Sequence, residues 1–114
     1  MIAVIFEVVP RQGQRDAYLG AAADLGRHLQ EADGFVSIER FESLSQPGKL
    51  LSLSIWRDEE ALRRWRNLEP HRRAQAAGRE HIFEDYRLRV AAVIRDYGLI
   101  DRTDAPQDSK ARHG

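Results

Sequence analysis

The chain has 114 residues, 42% of them hydrophobic, which suits one soluble globular domain with a modest core. Its 18 Lys and Arg balance 18 Asp and Glu, so no global field draws it to nucleic acid or an anionic membrane, and neither is expected as a partner. Cysteine is absent, which excludes disulfides, thiolate nucleophiles, zinc–thiolate sites and iron–sulfur clusters.

The N-terminal stretch MIAVIFEVVPRQ has a short apolar run and no basic leader. It reads as a strand rather than a signal peptide or membrane span, and a cytoplasmic location is expected. Within it, IAVIFEVV is β-branched and aromatic with Glu7 as its only charge, and Pro10 stops it, so a strand buried on both faces is expected. From Gln14 to Glu31, apolar residues fall at Ala17/Tyr18, Ala21/Ala22, Leu25 and Leu29. That is helical spacing, and Asp33-Gly34 ends the segment.

FVSIERFESL, from Phe35, alternates as a second strand: Val36, Ile38 and Arg40 on one face, Phe35, Ser37, Glu39 and Phe41 on the other. SQPGK is a turn signal leading to LLSLSIWR, where Leu51, Leu53 and Ile55 alternate with Ser52, Ser54 and Trp56, so the two strands form a hairpin. Asp58 is placed to N-cap the helix EEALRRWR, and Pro70 sits in the first turn of a second helical piece running to about Arg79, with a break near Asn67. In YRLRVAAVIRDYG, Tyr86, Leu88, Val90, Ala92 and Ile94 alternate with Arg87, Arg89, Ala91, Val93 and Arg95, giving a fourth strand. The last stretch, DRTDAPQDSKARHG, has no large apolar residue and is rich in charge, so residues 101–114 are expected to be a flexible polar tail behind a domain of residues 1–100.

The order β-α-β-β-α-β is the split pattern of an α+β ferredoxin-like sandwich, a four-stranded antiparallel sheet with helices on one face. The strands carry bulky residues on both sides, so the second sheet face also needs cover. Two sheets packed face to face would supply it, and a homodimer is expected.

MIAVIFEV, DGFVSIERFES, GKLLSLSIWRDEEALRRWRN, EPHRRAQAAGRE and FEDYRLRVAAVIRDYG resemble the antibiotic biosynthesis monooxygenase (ABM) domain family over about residues 1–98. The resemblance rests on Gly34-Phe35 opening the second strand, the W-x-D-E-x-A-L-x-x-W pattern from Trp56 to Trp65, and the following His71-Arg72. It implies the dimeric α+β barrel fold. It also implies cofactor-free oxidation of anthrone-like phenols to quinones or haem degradation, and a dimer that binds a small molecule without chemistry stands beside them as a third reading. In the haem-degrading branch it implies an asparagine on the first strand, a tryptophan on the second helix and a haem-ligating histidine ten residues later. Here those positions hold Glu7, Trp65 and Gln75, and Gln75 is not a usual iron ligand.

Leu62, Trp65, Leu68, His71, Gln75, Arg79 and Ile82 recur at three or four residues and share one helical face. If that face looks at the sheet, His71, Gln75 and Arg79 line a cleft walled by Trp65, Phe6, Phe41, Trp56 and Tyr86. Such a cleft suits a small aromatic substrate. Cofactor-independent oxygenation needs a base that makes the substrate electron-rich enough to react with O2. His71 is the first candidate because imidazole titrates near neutrality. Arg79 and Gln75 would stabilise the resulting oxyanion, Tyr86 would orient a substrate hydroxyl, and Glu7 is a second candidate base whose pKa burial would raise. Each has a structural alternative: His71 and Trp65 as packed residues, Glu7 as a cross-strand partner of Arg40 or Arg89. Arg63, Arg64, Arg66, Arg72 and Arg73 interleave with Asp58, Glu59, Glu60 and Glu69, which reads as a solvated face. His28, His81 and His113 show no ligand spacing, and no metal or cofactor is expected.

Overall fold

A computed structural model describes residues 1–114, the side chain of Glu69 apart. The elements run β1 (Ile2–Pro10), α1 (Arg15–Leu29), β2 (Phe35–Glu42), β3 (Leu50–Trp56), α2 (Glu59–Arg66), α3 (Glu69–Ala77), a π-helical turn (Gly78–Ile82), β4 (Phe83–Ala92) and α4 (Gln107–His113). The four strands form one antiparallel sheet in the order β2-β3-β1-β4, the ferredoxin-like arrangement. Among the described residues no helix is long and apolar enough to cross a membrane.

Strand parity decides what each side chain can do. Across the sheet, Ile2, Val4, Phe6 and Val8 of β1 pair with Trp56, Ser54, Ser52 and Leu50 of β3, and this set packs beneath the helices. The opposite face therefore carries Ala3, Ile5 and Glu7 beside Ile55, Leu53 and Leu51. Leu50, the serines and Trp56 of β3 point toward the helices, and Leu51, Leu53 and Ile55 point away. One expectation for β2 fails locally. Phe35 pairs with Trp56 and Ser37 with Ile55, so a bulge at Val36 turns Phe35 into the core, where its ring stands 5.5 Å from that of Trp56. Phe35 thus shares a face with Ile38 and Arg40 rather than with Ser37.

The core has two centres. Leu29, Trp56, Ala61, Leu62 and Trp65 form one, while Val8, Tyr18 and Leu50 form the other with Phe6, Ile82 and Phe83 against it. Between α1 and β2, Gly34 has φ +84°, and a Cβ there would overlap that of Ala61, so only glycine lets the chain pass this close to α2. Its carbonyl accepts from the Arg57 N–H at 2.8 Å, which anchors the start of the α2 connection.

Asp58 caps α2 as expected, its Oδ1 accepting from the Ala61 N–H at 2.8 Å. Asn67 ends α2, and Pro70 lies in the first turn of α3. The helix does not stop near Arg79 but widens into the π turn, which carries it to Ile82 and straight into β4. β4 begins at Phe83 and ends at Ala92, so Ile94, expected within the strand, lies beyond it and is exposed. The expected loose tail holds a short helix, α4, tied down by polar contacts: Arg102 donates to the carbonyls of Gly98 and Gly114 and to Ser109, and Lys110 donates to the Thr103 carbonyl. These bonds, not apolar burial, order the segment, although Ala105 at its entrance is buried.

Candidate active site

Helices and sheet do not close completely. Between α1, α2, α3 and the π turn above and the sheet below lies a cavity of about 330 Å³, bordered by members of both core centres. That size fits a small organic molecule. Its aromatic walls include Phe6, Trp56, Trp65, Phe83 and Tyr86. The Phe6 and Tyr86 rings lie 5.8 Å apart and those of Trp56 and Trp65 lie 6.1 Å apart. Of the predicted helical stripe, every member except Leu68 borders this space. Leu68 sits at the break between α2 and α3 and is exposed.

His71 stands in the first turn of α3, half-buried, with its ring 5.5 Å from that of Trp65. Its Nδ1 lies 3.2 Å from the Arg66 carbonyl oxygen. A carbonyl only accepts, so Nδ1 carries the proton and Nε2 keeps its lone pair. Burial lowers the His71 pKa below the usual imidazole value, and the bond to the Arg66 carbonyl offsets this only in part. The ring is therefore held neutral at pH 7, as a tautomer able to take up a proton at Nε2.

One and two helical turns beyond His71, Gln75 and Arg79 also border the cavity, though both side chains reach toward solvent. Arg79 stands at the rim, where it also lines a shallow depression with Arg11, Phe83 and Asp85. Neither has a side-chain hydrogen bond or ion pair among the described residues. The π turn holds Gly78 against the Phe83 ring, which a Cβ would overlap. Glycine at this position lets β4 begin directly under the helix.

Two expected site residues lie elsewhere. Glu7 has the opposite parity from Phe6 and projects from the open face of the sheet, where it meets Arg89 at 2.8 Å and Lys49 at 3.3 Å. Hydrogen bonds from Arg89 and then Lys49 hold its carboxyl below the usual range, the reverse of the expected rise. Arg89 is thus the partner of Glu7, and Arg40 is on the other side of the sheet. Phe41 pairs with Leu51 on the same open face and does not wall the cavity. Gln75 borders the cavity, but Glu7 does not, so two of the positions implied for haem-degrading relatives are on opposite sides of the sheet.

Sequence reading passed over several cavity residues. Arg40, Ser52 and Ser54 face into it from β2 and β3, and Tyr18 from α1. A signal for Arg40 was present, since it shares a strand face with Ile38, and a charge at a core-facing position needs a reason. On the exposed face of α2, Arg63 pairs with Glu60 and Arg64 with Asp33, and ahead of the helix Arg57 pairs with Asp33 and Asp58, whereas Arg66, expected in the same solvated face, borders the cavity. The expected share of Glu69 in that face lies outside the described residues. His81 has Glu80 at 3.5 Å, and among the described residues no three His, Cys, Asp or Glu side chains gather.

Comparisons with known proteins agree with this fold. The family model described as antibiotic biosynthesis monooxygenase matches residues 1–77, a shorter span than the resemblance traced to residue 98. The chain is 50% identical over 93 residues to a jasmonate monooxygenase of Pyricularia oryzae, covering 82% of this chain but only 43% of that protein. It is 31% identical over 94 residues to the YqjZ protein of Bacillus subtilis, covering 82% and 79% of the two chains. Among solved structures, a Mycobacterium tuberculosis protein superposes with a TM-score of 0.76 at 23% identity, covering 85% of this chain and 98% of that one. A candidate antibiotic biosynthesis monooxygenase of Deinococcus radiodurans gives 0.76 at 16% identity, covering 86% and 97%. These two likenesses concern the fold. The matched family model, which spans more than half of the chain, establishes that the chain belongs to the antibiotic biosynthesis monooxygenase family.

Proposed function

We propose that the protein is a homodimeric monooxygenase that needs no cofactor and oxidises a small, largely apolar ring compound with O2, using His71 as the base. The observation that carries this reading is His71 itself: neutral, with Nε2 unprotonated, at the wall of an aromatic-lined cavity. The substrate it suits has a proton made acidic by a ring system or carbonyl, as in a quinol, an anthrone or a cyclic ketone.

His71 removes that proton, leaving an enolate, phenolate or carbanion. Arg79 and Gln75, bordering the same cavity, stabilise the oxyanion. The electron-rich anion reduces O2 and combines with it, and the resulting peroxide loses water. For a ring methylene the sum is CH2 + O2 giving C=O + H2O, so no external reductant enters. The Trp65, Phe6 and Tyr86 rings hold the substrate and limit access of water. Jasmonate, named for the Pyricularia relative, belongs in the substrate panel, although that relative extends well beyond the shared region.

The homodimer is supported by the uncovered sheet face, where Ile5, Leu53 and Ile55 lie side by side. The test is oxygen uptake by purified, chelator-treated protein with no added flavin, across anthrones, quinols and jasmonate. Uptake with ketone or quinone formation is expected. No uptake with any of them would overturn the proposal in favour of a binding protein.

A further inference from the structure

The cavity is lined by Arg40, Arg66, Arg79 and His71, yet no aspartate or glutamate among the described residues borders it. Arg40 is the informative one. Its Nε is shut off from solvent and has no hydrogen-bond partner, alone in this among the described side chains. An unpaired buried donor is costly, and arginine cannot relieve the cost by giving up its proton as lysine can. Arg40 as a whole is half-buried, and a guanidinium whose Nε is kept in that condition fits a site whose counter-charge arrives with the ligand.

The sheet floor beneath it is graded. Arg40 of β2 lies opposite Ser52 of β3, Ser52 opposite Phe6 of β1, and Phe6 opposite Leu88 of β4. All four border the cavity. One row across the sheet thus runs from a cation and a hydroxyl to an aromatic ring and a leucine, with about 4.8 Å per strand step. The neighbouring row adds Ser54, whose Oγ accepts the Trp56 Nε1–H at 3.0 Å and so retains its own proton to donate. A ligand that matches this floor has an anionic head at the β2–β3 end and an apolar ring roughly 5–10 Å away, over β1 and β4.

We propose that the cavity takes its substrate as an organic carboxylate, with the head group on Arg40 and Ser52 and the apolar body over Phe6 and Leu88. The planar guanidinium fork matches a carboxylate with two parallel hydrogen bonds, and a carboxylate is the compact planar anion that an apolar ring compound carries directly on its body. The inference rests on the cavity being the substrate site, but it concerns recognition rather than oxygen chemistry. It therefore survives or fails separately from turnover.

The probes are 1-naphthylacetate and its methyl ester, identical in apolar body and differing in charge. The chain's two tryptophans, Trp56 and Trp65, both border the cavity, so their fluorescence reports its occupancy, and calorimetry gives the affinities. Wild-type protein should bind the acid about tenfold to a hundredfold more tightly than the ester, as expected for a charge-assisted pair. Arg40→Met should bring the acid down to the ester's affinity and leave the ester unchanged, which also shows that the variant is folded. Arg40→Lys should keep part of the preference, and Arg40→Gln takes the place of Arg40→Met should the latter not fold. Equal binding of acid and ester by wild type, or no binding of either, would overturn the proposal. So would a preference that persists in Arg40→Met, or one that disappears in Arg79→Gln while Arg40→Met retains it.

Discussion

The Nδ1 atom of His71 lies 3.2 Å from the carbonyl oxygen of Arg66, and this contact fixes both the tautomer and the direction of the imidazole. The carbonyl is available because α2 ends at Arg66 and α3 begins at Glu69, so the break between the helices frees a backbone acceptor beside the ring. The residue four positions on, which would donate to that carbonyl in a continuous helix, is Pro70, and it has no N–H, so the proline also keeps the acceptor free.

Replacing His71 with Gln should lower turnover by about 10²- to 10⁴-fold, the usual worth of a positioned general base, while ligand binding changes little. Single-turnover kinetics alongside Trp fluorescence titration separate the two effects. Loss of binding and turnover together would assign His71 a packing role against Trp65 instead.

The pH profile follows from the direction of the His71 shift. The base works when neutral, so kcat/KM should rise with pH and reach a plateau, with the rise below the ordinary imidazole value of about 6.5 because burial lowers the pKa. For stability the sign is the same. Between the folded and unfolded pKa values the unfolded chain binds more protons, so the contribution is intact above the unfolded value and is lost as pH falls toward the folded one. An NMR titration of the His71 ring checks the direction, and a pKa above 6.5 would contradict it.

Glu7→Gln should leave turnover within about twofold, because the carboxylate projects from the far face of the sheet and the estimated worth of a positioned base is far larger. Hydrogen bonds from Arg89 and Lys49 lower its pKa, so it contributes stability above the unfolded carboxylate pKa that is lost as pH falls through the folded value. The variant should therefore show a weaker dependence of stability on pH in the acid limb. A hundredfold loss of turnover would return Glu7 to the catalytic machinery.

Gly78→Val should destabilise the fold by about 1–3 kcal/mol, since the new side chain must displace the Phe83 ring at the junction of the π turn and β4. Thermal unfolding measures the cost. The same change narrows the cavity, which Gly78 and Phe83 both border, so affinity for bulky ligands should fall as well.

Leu53→Arg should convert a particle of twice 13.1 kDa into one of 13.1 kDa in light scattering, by placing a charge at the centre of the open sheet face. A particle mass unchanged by the substitution would contradict a dimer built on this face.

Much of this architecture is legible in the residues. Alternation in β3, the Asp58 cap, Pro70 in the first turn of α3 and the turn before Lys49 are local signals, and local geometry honours them. The choice of covered face is not local. In β3 the leucines and the serines alternate equally well, and the serines face the helices because Trp56 shares their parity and fills the core. Glu7 and Phe6 differ by one position and so lie on opposite sides of the sheet, which removes one expected base from the site. The bulge at Val36 and the π turn at Gly78 each depend on one residue's tertiary neighbours, and neither leaves a periodic trace. In contrast, the helical stripe through His71, Gln75 and Arg79 required only spacing, and it borders the cavity as expected.

The central claim is that His71 initiates oxygen chemistry within this cavity. The most direct measurement is oxygen uptake by wild-type and His71→Gln protein, chelator-treated and without flavin, at substrate concentrations that tryptophan quenching shows to be saturating for both. The account predicts rapid uptake by wild type and a loss of about 10²-fold or more in the variant at equal occupancy. Equal uptake by the two proteins would contradict it.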